Sequence, residues 1–131
     1  MFALDHRLEH ETFFVADLEL SRVILMNNAL FPWLILVPRV EKAVELIDLS
    51  DMDQHLLMDE ISFASVVVRN VFNPHKINVA ALGNQTKQLH VHIIARFTTD
   101  SAWPEPVWGK GSQPYDDPKP LVEKLHWSFK S

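Results

Sequence analysis

Residues 88–97, QLHVHIIARF, constrain the fold more than any other stretch of the chain. Side chains alternate across a strand, so Leu89, Val91, Ile93, Ala95 and Phe97 fall on one face and Gln88, His90, His92, Ile94 and Arg96 on the other. The first face is wholly apolar and has to be core. The second gathers an amide, two imidazoles and a guanidinium, directly after a Gly83-Asn84-Gln85-Thr86 turn rich in hydrogen-bond donors. Any chemistry is therefore expected on that second face.

The rest of the chain supplies partners for this strand. RVILMN (22–27) and WLILV (33–37, fenced by Pro32 and Pro38) read as two strands of a hairpin with residues 27–31 at its tip. Ser50, three residues before Asp53, caps a long helix predicted over 51–72, with Leu57, Ile61, Ala64, Val68 and Val71 as its core-facing stripe and Asn73-Pro74 as its end. Residues 76–82 (KINVAAL) form a further strand and residues 83–87 a turn. The first ten residues suggest a short helical turn, 12–20 a partly extended stretch, and 98–131 a Trp- and Pro-rich tail with a last helix near 121–129. No repeat or long linker divides the 131 residues, which read as one domain, 1–131.

Composition narrows the function. Only three glycines occur, Gly83, Gly109 and Gly111, and no pair has the spacing of a Walker A loop or a dinucleotide fingerprint. A formal net charge of −5 speaks against a basic nucleic-acid face, and small ligands stay open. The chain has no cysteine, hence no disulfide or thiolate nucleophile, which fits a cytoplasmic protein. Neither a signal core nor a membrane-length apolar run is present.

Three readings of the histidine face compete. It can be the ordinary polar face of a half-exposed sheet. It can hold zinc through His90 and His92, although no carboxylate or third histidine falls at a telling spacing. Or a neutral imidazole can attack phosphorus while its neighbour stabilises the transferred charge. QLHVHIIAR, preceded by LGNQTK and a strand, resembles the signature of the histidine triad (HIT) superfamily of nucleotide hydrolases and transferases, and the likeness extends over roughly residues 20 to 110. RVILMNN, a strand ending in Val37-Pro38-Arg39, the long helix and the Trp-Pro tail all agree with it.

The resemblance implies an α+β fold: a mostly antiparallel five-stranded sheet, a long helix on one face, and two copies joined into an extended sheet. It implies His90 as nucleophile, His92 as the phosphate and leaving-group contact, and a nucleotidyl-histidine intermediate formed from nucleoside phosphoramidates or dinucleoside polyphosphates. No metal or cofactor is implied. Asn84, Gln85 and Thr86 would line the α-phosphate; Asn27 or Asn28 would meet the ribose, although both would look the same as plain turn residues. Trp103 and Trp108 match a tail near the site in family dimers, and are equally natural packing residues. Two departures stand out. Gln88 replaces the first motif histidine and joins the catalytic list as a residue that can hydrogen-bond but not move a proton, and Trp33 and Leu34 fall where many relatives carry a further histidine. The alternative is a catalytically weak nucleotide-binding dimer or scaffold. Lys87 and Arg96 stay outside the catalytic set.

Overall fold

A computed structural model of the chain describes residues 1–130. Asp5 caps helix α1 (His6–Glu11) by accepting from the Arg7 amide, and the chain then runs directly into strand β1 (Thr12–Asp17). Strands β2 (Ser21–Met26) and β3 (Trp33–Pro38) form the expected hairpin, and every residue of β3 is buried. Helix α2 spans Asp51–Phe72, with Ser50 accepting from the Asp53 amide and Asn73 closing the last turn in a left-handed conformation. Asparagine tolerates that region, and the following proline cannot extend a helix. Strands β4 (Lys76–Ala80) and β5 (Val91–Arg96) and helix α3 (Lys119–Lys130) complete the chain.

The five strands lie in the order β1-β2-β3-β5-β4, and all four pairings are antiparallel. Ile35 and Ala80 flank His92 across the ladders, and Trp33 and Asn78 flank Ile94, so these side chains share the histidine face. The opposite face carries Leu34, Ile93 and Ala95, packed with Ala64, Val67 and Val68 of α2 and Leu125 and Phe129 of α3.

The sequence expected one buried face on the motif strand, but every residue from Val91 to Arg96 is buried. The histidine face is covered by Leu8 of α1, Phe31, and Ala102 and Val107 of the tail, which pack on Trp33, Ile35 and Ile94. The motif strand is also shorter than 88–97, because Leu89 donates its amide to Ala43 in a loop rather than to a neighbouring strand. The strand expected over 76–82 stops at Ala80, before the turn bends toward His90.

Two buried charges anchor irregular segments. Glu60 of α2 accepts from the amides of Leu20 and Ser21 at 2.8 and 2.9 Å, tying the β1–β2 turn to the helix. Arg96 pairs with Asp100 at 2.9 Å, and also donates to Asn78 and to the Glu105 carbonyl. Asp100 in turn accepts from the amides of Phe97, Ala102 and Trp103. Arg96 is thus a buried hub that fastens the tail across the sheet, away from the pocket described next.

Candidate active site

His90 lies just before β5, and its ring nitrogen Nδ1 is 2.6 Å from the carbonyl oxygen of Gln88. A carbonyl only accepts, so Nδ1 carries a proton, and in the neutral ring the lone pair is on Nε2. The turn after β4 presses on this ring. A Cβ added at Gly83 would stand 2.7 Å from the Thr86 carbonyl oxygen and 3.0 Å from Cε1 of His90, so only glycine allows the approach. The same turn carries Asn84, Gln85 and Thr86 to the cavity, and among the described residues their side chains have no hydrogen-bond partner.

His92 is held differently. Trp33 Nε1 donates to its Nδ1 at 2.9 Å, and its Nε2 lies 2.8 Å from the Leu82 carbonyl oxygen. Indole nitrogen is only a donor and carbonyl oxygen only an acceptor, so the ring is the neutral Nε2–H tautomer with both nitrogens engaged. Trp108 closes on it edge-on, with ring centroids 5.1 Å apart, and His90 follows at 4.8 Å. Burial is the main cause that pushes His92 down to about 4; the Leu82 carbonyl opposes the shift and His90 adds to it. A zinc site on His90 and His92 would need a lone pair that His92 has already given to Trp33. Among the described residues no group of three or more His, Cys, Asp or Glu is placed to hold a metal ion.

These residues line a cavity of about 530 Å³, within the ~300–1,000 Å³ usual for small-molecule sites. One wall is apolar, from Leu8, Met26, Ile35, Val107 and Trp108; the turn residues supply neutral donors, and no lysine or arginine is among the lining residues. Glu11 brings the one carboxylate. Sequence reasoning missed Leu8 and Glu11 of α1 and the lining residues Met26, Ile35, Leu82, Val107 and Ser112. Gly109 and Gly111, with φ of +77° and +96°, let the tail bend over the opening.

Several expected site residues lie elsewhere. Gln88 donates to the Ala3 carbonyl at 2.8 Å and accepts from the Asp5 amide at 2.7 Å, so both ends of its amide are committed to the N-terminal segment rather than the cavity. Asn27 accepts from the Tyr115 amide and does not line the cavity. Asn28 does, but its buried amide is satisfied by the Leu30 and Gln113 amides and the Gly111 carbonyl. Trp103 packs against Arg96 and His75 and is not among the cavity-lining residues. Trp33, Trp108, His90, His92, Asn84, Gln85 and Thr86 converge on the cavity.

An antiparallel sheet backed by a long helix, with two alternate-position histidines facing a cavity beneath a short glycine turn, defines a class, and sequence comparison agrees with it. The chain belongs to the HIT family: the HIT domain model matches residues 7–99. Three crystal structures of histidine triad proteins are similar over nearly the whole chain. The Bradyrhizobium japonicum protein blr8122 is 44% identical with a TM-score of 0.94, covering 97% of each chain. A Marinobacter aquaeolei VT8 protein is 41% identical with a TM-score of 0.95, covering 99% of this chain and 97% of its own. The Sinorhizobium meliloti 1021 protein SMc02904 is 37% identical with a TM-score of 0.93, covering 97% and 96%. A search of curated protein sequences finds no match. Among the described residues no helix is long and apolar enough to cross a membrane.

Proposed function

We propose that the protein is a nucleotide hydrolase or nucleotidyl transferase that cleaves at the α-phosphorus through a covalent intermediate on His90. The observation that carries this reading is the Nδ1 bond to the Gln88 carbonyl, which leaves Nε2 of a neutral ring as nucleophile beside the turn 83–86. Asn84, Gln85, Thr86 and the turn amides bind the phosphoryl oxygens with neutral donors, and the apolar wall takes the nucleoside. Attack by Nε2 forms a nitrogen–phosphorus bond and expels the leaving group; water or another acceptor then displaces the histidine. Nucleoside phosphoramidates and dinucleoside polyphosphates are the substrate classes in view. The reading includes a homodimer, supported by β4, which stands at the edge of the sheet with one side unpaired by any other strand.

Incubation with labelled diadenosine tetraphosphate, an alkaline quench and intact-mass measurement test the reaction, with His90→Ala as control. The expected result is a nucleotidyl adduct on His90 and product release that disappears in the variant. Nucleotide binding with neither adduct nor His90-dependent release would leave a binding module instead. Sedimentation analysis tests the dimer.

A further inference from the structure

We propose that Trp33 makes this site specific for leaving groups that depart as anions without receiving a proton, by holding His92 in a form that cannot supply one. The inference rests on the covalent reaction proposed above and narrows its substrates. Cleavage of a phosphorus–nitrogen bond to an alkyl amine needs a proton on the departing nitrogen, whereas a phosphate or phenolate oxygen leaves with its electron pair unaided. His92 is the side chain beside the nucleophile that could serve as the acid, and both of its nitrogens are spoken for. Nδ1 accepts from Trp33 Nε1, and the Nε2 proton is given to the Leu82 carbonyl.

Becoming an acid would require a second proton on Nδ1, opposite an indole N–H that cannot turn into an acceptor. Trp33 is 6% exposed and His92 4%, so both rings are packed firmly in place. Trp108 packs edge-on against both, at 5.5 and 5.1 Å. The low proton affinity of the buried ring acts in the same direction.

No other lining group replaces it. His90 commits its proton to Gln88 and its lone pair to phosphorus, Glu11 is an acceptor when ionised, and among the described residues no lysine, arginine or tyrosine lines the cavity. In the step, Nε2 of His90 forms the new bond while the scissile bond breaks and its electrons leave on the departing oxygen. Water then attacks phosphorus, its proton passes to solvent, and the electron pair returns to Nε2. No proton moves between protein and leaving group in either step.

The test compares single-turnover formation of the His90 adduct from three adenosine 5′-phosphoryl compounds at pH 7: a p-nitrophenyl ester, diadenosine tetraphosphate and an alkyl-amine phosphoramidate. The expected result is that the ester and the anhydride react at least roughly 100-fold faster than the phosphoramidate, about 3 kcal/mol of barrier. Trp33→Phe removes the indole donor, frees Nδ1, and is expected to narrow that gap and introduce an acid-dependent limb for the phosphoramidate. Should the variant fold poorly, nitrogen-15 spectra of the wild type decide instead, with His92 expected as a neutral Nε2–H ring at pH 6. Similar adduct rates across all three compounds, or a His92 ring that protonates near neutrality, would overturn the restriction while leaving the nucleophile intact. No adduct even from the p-nitrophenyl ester would overturn the proposed reaction and the restriction together.

Discussion

Replacing Gly83 with alanine puts a methyl group 2.7 Å from a backbone oxygen that cannot rotate aside and 3.0 Å from the ring of His90. Ordinary contact begins at 3.4 Å, so the turn has to retreat by about 0.7 Å, the ring by about 0.4 Å, or both by smaller amounts. Overpacking of this kind costs about 1–3 kcal/mol of stability. Because a ~1 Å misplacement of a reacting group can cost ~10²-fold, a ring shift below half that distance should slow adduct formation roughly tenfold. Urea unfolding gives the first quantity and single-turnover adduct kinetics the second. Repeating the unfolding measurement in a His90→Ala background separates the two contacts. The Thr86 clash persists and the ring clash is gone, so Gly83→Ala should cost less there, by a coupling of roughly 0.5–3 kcal/mol. An unchanged unfolding midpoint together with an unchanged adduct rate would refute the packing of this turn on the nucleophile, and equal costs in the two backgrounds would remove the ring from it.

Gln88→Ala should lose two hydrogen bonds to the N-terminal segment, at about 0.5–1.5 kcal/mol each; faster amide exchange over residues 3–11 and a raised KM with little change in kcat are the readouts, with Gln88→Glu intermediate because it keeps only the acceptor. Between the ordinary histidine value of ~6.5 and the folded value of about 4 for His92, the unfolded chain binds a proton that the folded site refuses. Stability is therefore expected to fall as pH drops through that window, by roughly 3 kcal/mol in full, and a His92→Gln variant should show a shallower dependence in urea titrations. Burial raises the Asp100 carboxyl, but Arg96 and three backbone amides outweigh it and hold it at about 2. Its contribution is therefore present above the ordinary value near 3.8 and is lost as pH falls toward 2. Asp100→Asn should cost about 3–5 kcal/mol at neutral pH by leaving Arg96 buried without its counter-charge, measured by thermal or urea unfolding.

Local signals in the sequence carried much of this fold. The capped helix 51–72 was legible to the residue because Ser50 and Asn73-Pro74 mark both ends with short-range chemistry. The hairpin was legible because prolines and paired asparagines punctuate two apolar runs. Glu60 was not, since an acidic residue within a helix reads as solvent-facing until the two amides that it meets forty residues earlier are known. The same reason hid the cavity walls: α1 and the tail reach His90 through contacts spanning most of the chain, such as that between Gln88 and Ala3. Alternation along 88–97 put the two histidines on the face opposite the α2 cluster, but it could not reveal that this face is covered too, or that Gln88 on it serves a different neighbour. Nor could it reveal that Trp33, one strand away, sets the tautomer of His92.

The sheet carries packing alone on one face, and packing joined to the cavity on the other. Its helix-covered face holds the apolar cluster of α2 and α3, while the opposite face carries the cavity under α1 and the tail. Changes beneath the helices alter how long the molecule lasts and leave the nucleophile where it is. Changes in the short segment 108–112 bear on what the cavity accepts, while the Arg96–Asp100 pair at the root of the same tail holds it to the sheet. A lineage built on this plan can therefore explore new substrates by exchanging the few residues of that segment, provided the buried anchor at its root is kept.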